Sequence, residues 1–278
     1  MSKVVNKAIL ILSSFSTDHP HLRPDEIAQI SGIPLSTVYR FIQGLLKAGY
    51  LTKDSNGQTY HLGPAILRLG RTAESGLEFR ALAITWMEKL FKKTNQTISL
   101  SVPYGHLRLV LDSLEPKGGV KFSVRPGSTA PIFVAGSGKI LLAFTPKAEL
   151  GSVLEGILKS RLKPQLITSA KKLLKQLDQI RACGYGYSEA ELFPGAWALS
   201  APLLNKDGIA QAALTISGVL NPNSKPNIRP LLKLLFEATQ DISRELGYVG
   251  RIPGLRAIRQ MPVTRKTQGY KTEFLPLS

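Results

Sequence analysis

Between Arg23 and Leu62 the chain carries two helical patterns split by a sharp break, followed by a hairpin, and few folds accept that order. Arg23-Pro24-Asp25-Glu26-Ile27-Ala28-Gln29-Ile30 opens like a helix, with proline and two acids in its first turn. Ser31-Gly32-Ile33-Pro34 stops it, because glycine reaches positive φ and the residue before a proline avoids the α region. A second helix starts at Leu35 or Ser36 and runs through Lys47. Tyr50–Lys53 and Thr59–Leu62 alternate as short strands around the turn Asp54-Ser55-Asn56-Gly57. Helix, tight turn, helix and hairpin is the order of a winged helix-turn-helix, which seats its second helix in the DNA major groove.

The second helix has two chemically distinct sides. Val38, Phe41, Ile42, Leu45 and Leu46 fall on one, and Ser36, Thr37, Arg40, Gln43 and Lys47 on the other. Arg40 can fork onto guanine or clamp a phosphate, or it can pair with an acid of its own chain. Ser36 can cap the helix, touch DNA, or do both, and Lys47 can touch DNA or complement the helix dipole. Tyr39 either packs under the hairpin or reaches the duplex. Lys53 and Gln58 flank the wing turn and suit the minor groove or the backbone. The expected DNA contacts are therefore Ser36, Thr37, Tyr39, Arg40, Gln43, Lys47, Lys53 and Gln58.

Charge supports a polyanionic partner less than its total suggests. The 278 residues carry a net +17, yet residues 1–75 hold eight Lys/Arg against five Asp/Glu, only +3. Residues 247–278 hold six against one, +5, and the remaining +9 lies between. The motif, not the charge, carries the DNA reading. Cys183, the one cysteine, cannot form an intramolecular disulfide and reads as a small buried apolar group at a helix end. The start of the chain lacks the apolar core of a signal peptide, and no apolar run is long enough to span a bilayer. A cytoplasmic protein with no membrane partner is expected.

Elsewhere, helical spacing predicts helices over about 4–15, 65–75, 82–91, 137–144, 171–183 and 228–246. Period-two alternation predicts strands at 98–102, 107–111 and 120–124, then at 185–188, 197–203 and 209–216. This mixture implies an α+β chain: an N-terminal winged helix-turn-helix over 1–63, a linker helix over 64–78, and an antiparallel-sheet domain over 79–247. Residues 248–278 are expected to be a flexible basic tail or an arm laid on the surface.

Enzyme signatures are missing from the sequence. Gly136-Ser137-Gly138-Lys139 suggests a phosphate loop, but Phe133 and Ile140 stand where that loop needs glycine and a hydroxyl. No Gly-x-Ser-x-Gly elbow occurs, and His19, His21, His61 and His106 show no metal spacing with Cys or carboxylates. Glu189 and Glu191, two apart on an expected strand, would share one face at a pocket rim or in solvent. No cofactor or metal is expected.

Several separate stretches resemble the isocitrate lyase regulator (IclR) family of bacterial transcription factors. They are Val5–Leu12, Ile33–Arg40, Tyr60–Pro64, Ala135–Ala143, Gly184–Glu191, Ser200–Leu203 and Ala213–Gly218, spread over about residues 3–247. The resemblance implies a GAF-like effector domain after the winged helix. It also implies dimers or tetramers that bind double-stranded operator DNA and a small-molecule effector, usually an organic acid. Carried over residue by residue, the effector site comprises Gly136 and Ser137 at a helix start, Ser188 and Ala198, and Thr215 and Ser217 on a central strand. Free N–H groups after Ala135 would take a carboxylate, although Gly136 and Gly138 could instead serve close packing of helix on sheet. Ser188 and Ala198 stand where relatives that bind small oxo-acids can have an acid and a cysteine. With Phe133, Phe193 and Trp197 nearby, an aromatic or larger acid is favoured, unless those rings fill core or dimer contacts. The alternative function is a ligand-binding or protein-interaction module whose winged helix contacts protein instead of DNA.

Overall fold

The computed structural model describes residues 2–119, 121–159, 170–221 and 226–254, in two compact units, Met1–Arg80 and Ala81–Ser278. The first unit contains α1 (Lys3–Leu12), α2 (Pro24–Ser31), α3 (Leu35–Lys47), β1 (Leu51–Lys53), β2 (Tyr60–Leu62) and α4 (Pro64–Ser75). α1 ends earlier than its apolar pattern, because Ser14 turns its hydroxyl back onto the Leu10 carbonyl at 3.0 Å. Phe15 is thereby freed from the helix and buried in the core. Glu26 accepts the Arg23 N–H at 2.8 Å to start α2, and Gly32, at φ 70°, ends it in the left-handed region. β1 pairs with β2 antiparallel, and Leu22 adds a bridge to Tyr60. Ile11, Ile27, Val38 and Ile42 are fully buried beneath this small sheet, with Leu51 and Tyr60 closing the core.

α5 (Glu78–Thr94) begins in the first unit and leads into the second. There a six-stranded antiparallel sheet runs in the order β5 (Thr129–Pro131), β4 (Leu107–Leu114), β3 (Thr97–Tyr104), β8 (Ala210–Val219), β7 (Ala196–Leu204), β6 (Gly186–Glu189). α6 (Ala135–Ala143) and α9 (Ile228–Glu245) pack on it, and α8 (Ala170–Cys183) packs on α6.

The sheet has two chemically different faces. Partners in register share a face, so Ser188, Ala198, Ser217 and Thr97 line one row and Ser200, Thr215 and Ser99 the next. The alternate residues Ile98, Leu100, Leu199, Ala201, Leu214 and Ile216 make the other face wholly apolar and buried.

Two expectations need correction, and a third is narrowed to one of its alternatives. Residues 121–124 form no strand; Glu115 holds the Val124 N–H at 2.7 Å and Thr97 donates to the Phe122 carbonyl at 2.6 Å, and β5 fills the edge instead. Pro116 and the left-handed Gly118 and Gly119 turn the chain away from the edge before that segment begins. Helix α7 (Lys147–Lys159) carried no assignment, since Gly151 and Gly156 weaken its pattern. The described part of the expected tail, 248–254, is tied down: Gln240 donates to the Gly250 carbonyl at 3.0 Å and accepts the Ile252 N–H at 2.8 Å, burying Ile252. Residues 255–278 lie outside the described residues. Among the described residues, no helix is long and apolar enough to cross a membrane.

Candidate functional site

In the first unit, α3 presents the polar edge that its periodicity implies. Ser36, Arg40, Gln43 and Lys47 are exposed, Thr37 is half-buried, and Val38 and Ile42 face the core. The helix is capped at Pro34 without a side-chain bond, so Ser36 is not its cap and its hydroxyl is free of that role. Arg40 makes no ion pair to a described residue, leaving its guanidinium available. Tyr39 is about half exposed, not packed under the hairpin. On the wing, Gln58 is exposed, and Lys53 reaches over the Tyr60 ring at 5.9 Å.

The same wing brings together three residues that sequence spacing hides. Asp54 binds His21 Nδ1 at 3.0 Å with one oxygen and His61 Nδ1 at 2.9 Å with the other, while Thr59 donates to it as well. The Thr59 hydroxyl first, and then His21, hold the Asp54 carboxyl down at about 2. His21 and His61, which show no metal spacing along the sequence, thus share one carboxylate in space. They lie 33 and 7 residues from Asp54, and only the hairpin and the Leu22 bridge reveal the meeting.

In the second unit, the hydroxyl-bearing face of the sheet floors a cavity of about 440 Å³, its open mouth included. Ser137, Ser188, Ala198, Thr215 and Ser217 line it, joined by Ser99. Gly136 does not line it: a Cβ there would stand 2.7 Å from the Gly186 carbonyl oxygen, so this glycine permits close contact of α6 with β6. Phe122 and Phe193, edge to face at 5.3 Å, supply an aromatic wall, whereas Trp197 borders the cavity with its ring on the opposite face of the sheet, beside Gly218. Phe133, expected among these rings, is buried elsewhere in the core.

The start of α6 is already engaged. Glu191 accepts the Ala135 N–H at 3.0 Å and pairs with Lys139 Nζ at 2.8 and 2.9 Å, and Ser188 accepts the Gly136 N–H at 3.2 Å. Of the N–H groups after Ala135 expected to receive a ligand carboxylate, that of Gly136 is therefore already held by the chain's own Ser188. β6 stops at Glu189, and Ala190 turns with φ 52°, so Glu189 and Glu191 do not share a strand face. Glu189 instead accepts the Tyr187 hydroxyl at 2.6 Å; burial first, and then this bond to a carboxylate, raises the phenol far above its usual range.

One cation of the cavity lacks such a partner. Arg108, on β4, shares the hydroxyl-bearing face with Ser101 and donates to it at 3.4 Å. Its Nε is buried and has no hydrogen-bond partner among the described residues. Burial pulls the guanidinium down to about 10, still charged at neutral pH. In Leu107-Arg108-Leu109 a strand reading puts this arginine on a polar face and says nothing of a pocket; only the register opposite β3 places it there.

Two family models match the chain. The IclR helix-turn-helix domain matches residues 4–55, and the bacterial transcriptional regulator IclR C-terminal domain matches residues 72–244. The regulator XynR of Escherichia coli is 26% identical over 88% of this chain and 97% of its own. BhcR of Paracoccus denitrificans is 30% identical over 78% of each chain. Among solved structures, an IclR homologue from Microbacterium hydrocarbonoxydans complexed with 4-hydroxybenzoate is 22% identical, with a TM-score of 0.72 over 88% of this chain and 99% of that one.

Proposed function

This chain belongs to the IclR family of bacterial transcriptional regulators, and we propose that it reads operator DNA through α3 and the wing while sensing an organic acid in the cavity of its second unit. The observation that carries the ligand class is the buried guanidinium of Arg108, with an unmet donor, lining a cavity with an aromatic wall and a hydroxyl-lined floor. A buried donor on a cation without an acceptor is costly, and a carboxylate would supply the acceptor and the opposite charge together. The rings of Phe122 and Phe193 favour a single-ring aromatic acid over a small oxo-acid, and Ser137, Thr215 and Ser217 can orient it. A protein of this fold solved with 4-hydroxybenzoate agrees with that class of ligand.

On the DNA side, in this reading, Arg40 and Gln43 on the exposed side of α3 contact base edges, and Ser36, Thr37 and Tyr39 contact the backbone. Lys47, Lys53 and Gln58 add backbone or minor-groove contacts. The regulator acts in the bacterial cytoplasm as a dimer or tetramer, since one helix per protomer reads only half of a two-fold site. Acid binding then shifts operator affinity, and the operator shifts acid affinity by the same factor.

A mobility-shift titration on the intergenic DNA beside the gene tests the DNA half. Specific binding at moderate salt is expected; binding no tighter than to random duplex would favour a protein-contacting winged helix instead. A thermal-shift screen of aromatic and short aliphatic acids tests the ligand half, because a ligand of the folded state raises the melting point.

A further inference from the structure

The wing carries a cluster that neither DNA reading nor acid sensing uses. The antiparallel bridge of Leu22 to Tyr60 sets His21 beside His61, and the turn that follows β1 brings Asp54 to the same place. The nitrogen and oxygen ligand atoms of His21, Asp54 and His61 all lie within 4.8 Å of one another. Both imidazoles converge through Nδ1, and their ring centroids are 5.3 Å apart.

We propose that His21, Asp54 and His61 form a binding site for a zinc-class divalent transition metal, which ties the loop before α2 to the wing hairpin. The ligand set of two imidazoles and one carboxylate suits zinc, cobalt or nickel, whereas calcium and magnesium prefer oxygen ligands alone. Ligands about 2.0–2.2 Å from a tetrahedral zinc stand roughly 3.3 Å from each other. The contacts of 2.9 and 3.0 Å are close to that spacing, so small side-chain rotations separate the trio from a coordination shell.

Two further features fit. Asp54 is fixed by its backbone, donating to the Thr59 carbonyl at 3.0 Å and accepting from Gly57 at 2.8 Å, and the Thr59 hydroxyl steadies its carboxylate. Such supporting hydrogen bonds orient metal ligands. The cluster also lies at the surface, with His21 exposed and the other two half-buried, so an ion has a path in and a fourth position open to water. Without an ion the trio rests as hydrogen bonds; with one, the wing gains a cross-link and positive charge near Lys53 and Gln58, which face the expected DNA.

The test uses the full chain, stripped with chelator and titrated with zinc chloride and, separately, cobalt chloride. Expected are near-stoichiometric binding, a melting point several degrees higher, and a visible cobalt spectrum of tetrahedral type. All three should vanish in His21→Ala and in His61→Ala and persist in His19→Ala and His106→Ala. His21 is exposed, so His21→Ala should fold even if His61→Ala does not. No saturable binding by wild type, or binding and spectrum unchanged in His21→Ala, would overturn the proposal.

Discussion

The Glu191 carboxylate closes on the buried Lys139 ammonium, 2.8 and 2.9 Å from its two oxygens. With the Ala135 N–H at 3.0 Å, it locks the loop after β6 over the start of α6 and so positions Leu192 and Phe193 at the cavity. A lysine inside a wholly buried helix is tolerated only because this partner reaches it.

Breaking the pair from one side should be worse than removing it. Glu191→Leu strands the ammonium and should lower the unfolding free energy by about 3 kcal/mol. Adding Lys139→Met should recover most of that loss, because no unpaired charge is left. Urea unfolding of the single and double variants measures the difference, and an equal loss in both would mean that the pair's charge is not what matters.

Arg108→Leu should behave in the opposite way. It removes a desolvated cation with an unmet donor, so the melting point should hold or rise. Affinity for an aromatic acid should fall by about 2–3 kcal/mol, roughly 30- to 150-fold, the worth of a charge-assisted contact to a buried cation. Calorimetric titration of wild type and variant reads both effects.

Gly136→Ala should act on stability and leave the ligand alone. Its new methyl would press on the Gly186 carbonyl oxygen at 2.7 Å, costing about 1–3 kcal/mol through a forced shift of α6 from β6. At matched folded fraction, acid affinity should match wild type; a selective loss of affinity would return Gly136 to the ligand site.

The two faces of α3 should separate cleanly. Arg40→Ala should weaken operator binding by about 1–3 kcal/mol with no change in melting point. Ile42→Ala empties a fully buried position and should cost about 2–5 kcal/mol of stability in the first unit. Fluorescence anisotropy with labelled operator and thermal melts of the same samples distinguish them.

Local chemistry made the first unit readable. Pro24, Gly32 and Pro34 punctuate α2 and α3, and Asn56-Gly57 marks the wing, so those elements stand where the pattern puts them. Ser188, Thr215 and Ser217 were legible through the family resemblance and do line one cavity. Sequence was silent where chemistry depends on register between distant segments. Arg108 faces the cavity because of how β4 pairs with β3, and Glu191 reaches Lys139 across 52 residues. Val120, Phe122 and Val124 alternate like a strand, yet the described ones are held by Glu115 and Thr97, and hydrophobic alternation alone cannot reveal that.

The most direct test of the central claim, that an acid held by Arg108 controls DNA reading, is operator affinity with and without the acid that shifts the melting point most. In wild type, saturating acid should change the operator Kd several-fold, and the operator should change the acid Kd by the same factor. In Arg108→Leu, operator affinity without acid should match wild type and the response should disappear. An equal response in both proteins would contradict the account.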